Sequence, residues 1–364
     1  MITKTHRLLG RSLVAAVALG ATLGLSGTAQ ASQAPVAGHV YQATNNANGN
    51  AIAVFDRTAN GTLRAHGTVA TGGRGTGASL ASQGGVTREG SLLFVVNGGD
   101  DSVSVLSTKG GSLRLRDRIS SGGEHPVSVT VHHGIGYVLN HDSDAIVGFR
   151  YTPSGELRKL PGSTRQLTHP KGGGMTDAAQ VQFSPDGRSL VVTERGANAI
   201  DTFTVRRGSA SRPHAHSSAG MVPYGFDFDR HGTLVVSEAA SGSASSYRVA
   251  PRFRAVTKAL GNTQAAACWV VVSGHYAWVV NAASNSISSY RVHRNGSLTL
   301  VKAIAGSTGA GPTDAAVTPD GRYLEVRLGD GSVQSFRIHT SGTLTSVDTE
   351  RVTMNYGIAG LATD

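Results

Sequence analysis

Cysteine is almost absent from this chain. Cys268 is the only one among 364 residues, so no intrachain disulfide can form, even in an oxidising compartment. Stability has to come from packing and from the way the chain closes on itself. Cys268 sits in Ala-Ala-Ala-Cys-Trp-Val-Val-Val, an apolar strand-like run, and reads as a buried structural thiol, because no local signature supplies the base a nucleophile needs. Charge is also scarce: Asp, Glu, Lys and Arg make up 15%, against about 25% in an average protein. With 39% hydrophobic residues, this excludes a disordered chain, which needs high charge and low hydrophobicity. Aromatics are few, at 5%, and no basic-aromatic cluster forms a platform, so nucleic acid is not an expected partner. What is abundant is glycine, with 48 residues. It has no period of three, which excludes collagen, and with many Val, Thr and Ser it argues against a helical protein.

One apolar run stands apart. Lys4, Arg7 and Arg11 precede the 13 residues Leu13–Leu25, and Ala29-Gln30-Ala31 follows. A basic start, a short apolar core and a small-x-small site make a cleavable signal peptide over 1–31, with a mature start at Ser32. The run is shorter than the about 20 residues a spanning helix needs, so no membrane span is expected. No cysteine follows it directly, which excludes a lipoprotein anchor. The formal charge is +10, and loss of three basic residues and no acid leaves +7. The expected location is secreted or extracellular. Residues 32–364 are expected to form a single domain.

That domain is repetitive. An apolar strand, a short polar loop and a second strand recur as HVYQATNNANGNAIAVF, LLFVVNGGDDSVSV, GYVLNHDSDAIVGF, LVVTERGANAIDTF, LVVSEAASGSASSY, AWVVNAASNSISSY and YLEVRLGDGSVQSF. They close on Phe55, Val105, Phe149, Phe203, Tyr247, Tyr290 and Phe336, at spacings of 43 to 54 residues. The period is that of a four-stranded propeller blade. Turns fill out the other strands. Ser184-Pro185-Asp186-Gly187 and Thr318-Pro319-Asp320-Gly321 carry Pro second and Gly last, as type I turns favour. Asn60-Gly61 and Asn295-Gly296 mark outer hairpins whose Asn and Gly are both expected at positive φ. Both also match an N-glycosylation sequon, for which the turn reading is preferred. The fold class is all-β: a seven-bladed β-propeller with four strands per blade. Residues 39–70 supply only three strands. The C-terminal Gly357–Ala362 is therefore expected to complete the first blade as its innermost strand and close the ring.

In such a blade the long loops lie on one face, and binding residues concentrate on loops over a rigid scaffold. One position follows the second strand of every blade and reads Asn45, Asn97, Asn140, Glu194, Glu238, Asn281 and Arg327. The lead-ins to the first strands add His125, Asp177, Tyr224 and Asp314, and Arg195 adjoins Glu194. Carboxylates, His and Arg around a channel can activate water and hold an anionic substrate, whereas Asn and Asp in such loops also cap their own turns.

On the Phe183–Gly187 and Thr318–Gly321 turns, the seven-fold period, the Gly296-Ser297-Leu298 hairpin and the stretch Pro223–Glu238, the sequence resembles the lactonase family of seven-bladed propellers. That family includes 6-phosphogluconolactonase and the carboxymuconate-lactonizing enzyme. The resemblance covers roughly residues 39–364. It implies that Glu238 is catalytic or substrate-binding. Tyr224-Gly225 stands where the family carries Arg-His, and Asp177-Ala178-Ala179-Gln180 where it is often His-rich. The expected activity is hydrolysis of a lactone or related cyclic ester, or muconate-cyclase-like chemistry. Glu238 and Glu194 are the expected bases. His125, Asp177, Arg195, Tyr224, Asn281, Asp314 and Arg327 are expected to bind substrate. The alternative is a non-catalytic propeller that binds a glycan, wall polymer or protein.

No P-loop, His-Glu-x-x-His or Gly-x-Ser-x-Gly elbow is present. Gly72–Gly77 lacks the helix of a phosphate cradle and reads as a flexible loop. His214 and His216 lack a third ligand, and Asp100-Asp101 and Asp142-Ser143-Asp144 lack a full calcium-loop pattern. No cofactor and no metal is expected. The expected partner is a small lactone or an anionic sugar or wall polymer, bound by a monomer.

Overall fold

The period-two patterning of each repeat builds a four-stranded antiparallel sheet, and seven such sheets form in chain order. The computed structural model describes residues 34–109, 112–168, 176–351, 357 and 360–364; residues 1–31, expected to be a signal peptide, and residues 169–175 lie outside them. Blade 2 shows the plan: Val86–Glu89, Leu92–Asn97, Ser102–Ser107 and Arg114–Ser120. Its two middle strands are buried throughout, while the outermost alternates between exposed and half-buried. Middle strands are covered on both faces by neighbouring blades, so the second strand is an apolar run over Leu92–Val96, while the third alternates Ser with Val or Leu and buries its small hydroxyls too. In blades 3 and 4 the outermost strand is broken into two short pieces, Leu157–Lys159 with Arg165–Gln166 and Ser209–Ala210 with His214–Ser217.

The core lies between blades. Phe55, Val105, Phe149, Phe203, Tyr247, Tyr290 and Phe336, the residues that close the repeats, are all buried. The first strand of each blade packs on the first strand of the next all the way round, from blade 2 through blade 7 to Leu361–Thr363 and back to blade 2. Residues Pro35–Asp364 make one compact unit.

The ring closes with C-terminal residues, as the incomplete first repeat requires. The closing strand is Leu361–Thr363 rather than Gly357–Ala362; residues 358–359 lie outside the described ones. It pairs Val40 with Thr363, Tyr41 with Ala362 and Gln42 with Leu361. Asp364 fastens its end. The Asp364 carboxylate accepts from the His39 N–H at 2.6 Å, the Tyr41 hydroxyl at 2.6 Å and His39 Nδ1 at 3.1 Å. The turns are mostly as expected. Gly187 and Gly321 close theirs onto Ser184 and Thr318. At Asn60-Gly61 and Asn295-Gly296 only the glycines take positive φ, 91° and 88°. These are type I turns ending in a left-handed glycine, because the flanking strands are offset by a bulge.

The inner strands are stitched side chain to backbone across blades. Thr87 donates to the Val129 carbonyl, and Thr130 accepts from Phe183 N–H. Gln180 pairs with both backbone groups of Phe226, Asp227 accepts from Val272 N–H, and Asp314 accepts from Leu361 N–H. Inner edges without a strand partner would leave backbone groups unpaired, and these polar side chains satisfy them.

Candidate functional site

The antiparallel register places each first-strand start beside the end of the second strand: Pro126 with Asn140, Ala178 with Glu194, Pro223 with Glu238, Ala267 with Asn281 and Thr313 with Arg327. Lead-in residues and second-strand ends therefore share one face of the ring. Four lead-ins, His125, Asp177, Val222 and Ala266, hold left-handed backbone at φ 53°, 49°, 60° and 55°. Non-glycine residues adopt it at a cost, repaid here by the tight descent from outer to inner strand.

The channel behind this face is not open. Ser82, Gln83 and Gly84 cross it. The Gln83 amide donates to the Val270 carbonyl at 2.8 Å and accepts from Val270 N–H at 3.1 Å. Gln83 N–H reaches Ala179 O, Ser82 Oγ reaches Val127 O, and Trp269 Nε1 donates to Ser82 O. One segment thus binds blades 3, 4 and 6. Beyond this plug a cavity of about 430 Å³ is lined by first strands of all seven blades and extends to the turns at His132 and Pro185. The stretch leading to the plug, Gly72–Gly77, is not the free loop its composition suggests. Asn45 pins Thr76 and Ala78, and Gly75 and Gly77 donate to Asn46 and Asn45 carbonyls. A Cβ on Gly75 would lie 2.1 Å from the Asn45 carbonyl carbon, so the close approach requires glycine.

On the loop face, blades 3, 4 and 5 bring six side chains together. His125 Nδ1 lies 3.1 Å and His141 Nδ1 2.7 Å from the same Asp142 oxygen. His141 Nε2 lies 3.1 Å from Asp177 Oδ1, which also takes Arg195 at 2.5 Å. The Arg195 guanidinium covers the Tyr224 ring at 4.9 Å, a cation–π contact. Backbone bonds hold the parts: His141 N–H donates to His125 O, His125 N–H to Asp101, and Arg195 Nε to Asp177 O. The Asp177 hydrogen bond, opposed by burial, holds His141 above the usual imidazole range. The same bond to His141, with Arg195, holds Asp177 low. Burial works against Asp142, but its two histidines keep it low as well. The result is an alternation of carboxylates with imidazole and guanidinium groups, in which His141 stands between Asp142 and Asp177.

Four of the expected substrate-binding residues, His125, Asp177, Arg195 and Tyr224, belong to this cluster. His141 and Asp142 were not among the expected site residues. The signal was there: His141 follows Asn140 as Arg195 follows Glu194, one step past the buried second-strand end. The remaining expected residues are placed elsewhere. Glu238 is fully buried in blade 5 and accepts from Ser218 at 2.8 Å and from Tyr247 at 3.4 Å. Glu194 is fully buried opposite Asp201, whose other oxygen accepts from Thr168 N–H. Burial above all pushes both carboxyls up, and each raises or couples to the other's titration. Asn281 donates to Ser286 and Ser288 and accepts from Asn262. Asn97 does the same with Ser102, Ser104 and Asn50. Asn140 reaches Ser121 O. Arg327 is buried and donates to Gly357 O at 2.6 Å, next to Asp314, which holds Leu361. Asn97, Glu194, Glu238 and Asn281 are thus turned into their blades, while Asn45 and Arg327 hold the connecting segments at Thr76–Ala78 and Gly357. His214 is exposed, and His216 stacks on Phe253 at 4.0 Å. Cys268 is buried, and burial raises its thiol to about 12.

A family model for the lactonase, 7-bladed beta-propeller, matches residues 45–171, 131–260 and 252–357. The chain belongs to this lactonase family. Solved structures share the lactonase-family fold. A candidate 6-phosphogluconolactonase from Bacteroides uniformis is 19% identical with a TM-score of 0.73, covering 88% of this chain and 97% of that one. A periplasmic gluconolactonase from Pseudomonas aeruginosa is 17% identical with a TM-score of 0.67, covering 90% and 98%. At such identities the likeness is one of fold. No curated protein sequence matches the chain.

Proposed function

We propose that this lactonase-family propeller is an exported lactone hydrolase whose reaction takes place over the loop face of blades 3–5. The observation that carries the reading is the cluster of two carboxylates, two imidazoles and one guanidinium at that face. Arg195 is the cation available to an acidic substrate and to a developing oxyanion, with the His141 imidazole beside it. Asp177, partly exposed, is the carboxylate at hand to take a proton from an attacking water. Water adds to the ring carbonyl carbon, the ring C–O bond breaks, and the water protons pass to the leaving alkoxide and to solvent, giving a hydroxy acid. Glu238 supports the Ser218–Gly220 turn from inside its blade. Export rests on the 1–31 segment, and a periplasmic relative with this fold is in keeping with it.

The test is pH-stat titration of the purified protein against sugar, phosphosugar and muconate-type lactones. Acid release should be saturable and fall at least about 10²-fold in Arg195→Gln and His141→Gln. Glu238→Ala should cost about 1–3 kcal/mol of stability by removing the buried acceptor of Ser218 and Tyr247, with the rate of the folded enzyme kept. Full rates in both cluster variants would sink the site assignment. No release, with saturable binding of an anionic wall polymer, would replace hydrolysis by binding.

A further inference from the structure

His125, His141 and Asp142 also bring their donor atoms together. One donor atom from each lies within 4.8 Å of the other two. The Nδ1 atoms of both imidazoles point at a single carboxylate oxygen, at 3.1 and 2.7 Å. Donors that share a metal at about 2.0–2.2 Å stand roughly 3 Å or slightly more apart, so each imidazole already stands at about that spacing from the carboxylate oxygen.

We propose that His125, His141 and Asp142 form a binding site for one divalent transition-metal ion of the zinc class, open to solvent on the loop face. Two imidazoles and one carboxylate are a ligand set for such an ion rather than for calcium or magnesium, which prefer oxygen throughout. Three protein ligands with further positions open to water is the plan of a catalytic rather than a structural zinc site. Asp142 is 50% exposed, which leaves those positions accessible.

The surroundings are those of a metal-binding histidine. His141 would bind through Nδ1, and its Nε2 already points at Asp177 at 3.1 Å. A ligating imidazole typically donates its other N–H to a carboxylate, which fixes ring and tautomer. Asp177 is itself held by Arg195 at 2.5 Å. The two histidines come from different loops, and a backbone bond from His141 N–H to His125 O, with a second from Glu124 N–H to Ser143 Oγ, fixes their spacing. Preorganised spacing is what such a site needs. A cation there would bring its bound water close to neutral pKa between Arg195 and the open face; for that step the inference rests on the hydrolase reading, while the binding site itself does not.

The experiment uses the purified protein stripped with EDTA, titrated with Zn²⁺ by calorimetry and with Co²⁺ by visible absorption. One ion per chain is expected in both, with Co²⁺ d–d bands. Asp142→Asn and His141→Gln should each weaken Zn²⁺ binding by about tenfold or more, and Asp177→Asn, which keeps all three donors, by about 10–100-fold. Circular dichroism checks the fold of each variant, and Asp142→Asn, at a half-exposed loop position, carries the result if a histidine variant does not fold. His214→Ala should leave binding unchanged. Absence of stoichiometric binding, or binding unaltered in Asp142→Asn, overturns the site even if the protein hydrolyses lactones in EDTA. Binding that is lost in the variants supports it even if no lactone is turned over.

Discussion

At the residue scale, the molecule keeps several carboxyls inside its blades. Glu325 is fully buried with Ser335 as its partner, and burial pushes it from 4.5 to about 8. Burial pushes Asp314 from 3.8 to about 7 despite two backbone N–H bonds. The Glu194–Asp201 pair shifts the same way. Each group binds its proton more tightly in the folded state than in the unfolded chain. Their stability contribution is therefore complete below about pH 4 and lost as pH rises through 7 and 8. Thermal melts should show the Tm falling by more than about 3 °C between pH 5 and 9, the equivalent of roughly 2 kcal/mol. Glu325→Gln, neutral throughout, should flatten that slope. A flat wild-type profile would mean that these carboxyls are ionised in the folded protein. At acid pH the ring tie acts in the opposite sense. His39 and Tyr41 hold Asp364 down to about 2 although burial opposes it, so its contribution is lost as pH falls from about 4 toward 2.

At the element scale, two segments do work out of proportion to their length. The first is Leu361–Thr363, three residues that complete a four-stranded sheet. Deleting residues 361–364 should lower the Tm by more than about 10 °C, because it exposes the edge of Val36–Ala43 and strands Asp314 and Thr363's partner carbonyl at Val317. An unchanged melting curve would show that the first blade stands without it. The second is the plug. Gln83→Leu should cost about 1–3 kcal/mol, since it leaves both backbone groups of Val270 unpaired, and denaturant melts measure that cost. The closing strand was legible in the sequence, because the first repeat lacked a strand and an apolar run remained at the other end. The plug was not. Ser82-Gln83-Gly84 carries no pattern, and its partners at Val127, Ala179, Trp269 and Val270 lie 45 to 187 residues away.

At the scale of the whole molecule, the blades are not independent. Their apolar faces pack on one another rather than inside single sheets, and side chains of one inner strand satisfy the backbone of the next. A blade removed from the ring would expose both faces and its inner edge. Calorimetry should therefore show one cooperative unfolding transition for residues 32–364, with calorimetric and van't Hoff enthalpies equal. Resolved transitions would show that groups of blades fold on their own.

The sequence by itself determined the number of blades, their strand order and the need for C-terminal closure. Those follow from the period of apolar runs and turn residues, which are local properties of the chain. It also named His125, Asp177, Arg195 and Tyr224, though as four of seven expected substrate-binding residues that included Asn281, Asp314 and Arg327. Only the tertiary structure decided which polar residues face outward. Glu238, Glu194 and Asn281 occupy the same repeat position, but the twist of each blade turns that position into the sheet. The next residue along, His141 or Arg195, is the one that reaches the face. A one-residue step changes the side a strand residue points to, and no repeat pattern states which of two adjacent polar residues a ring of seven blades will leave exposed.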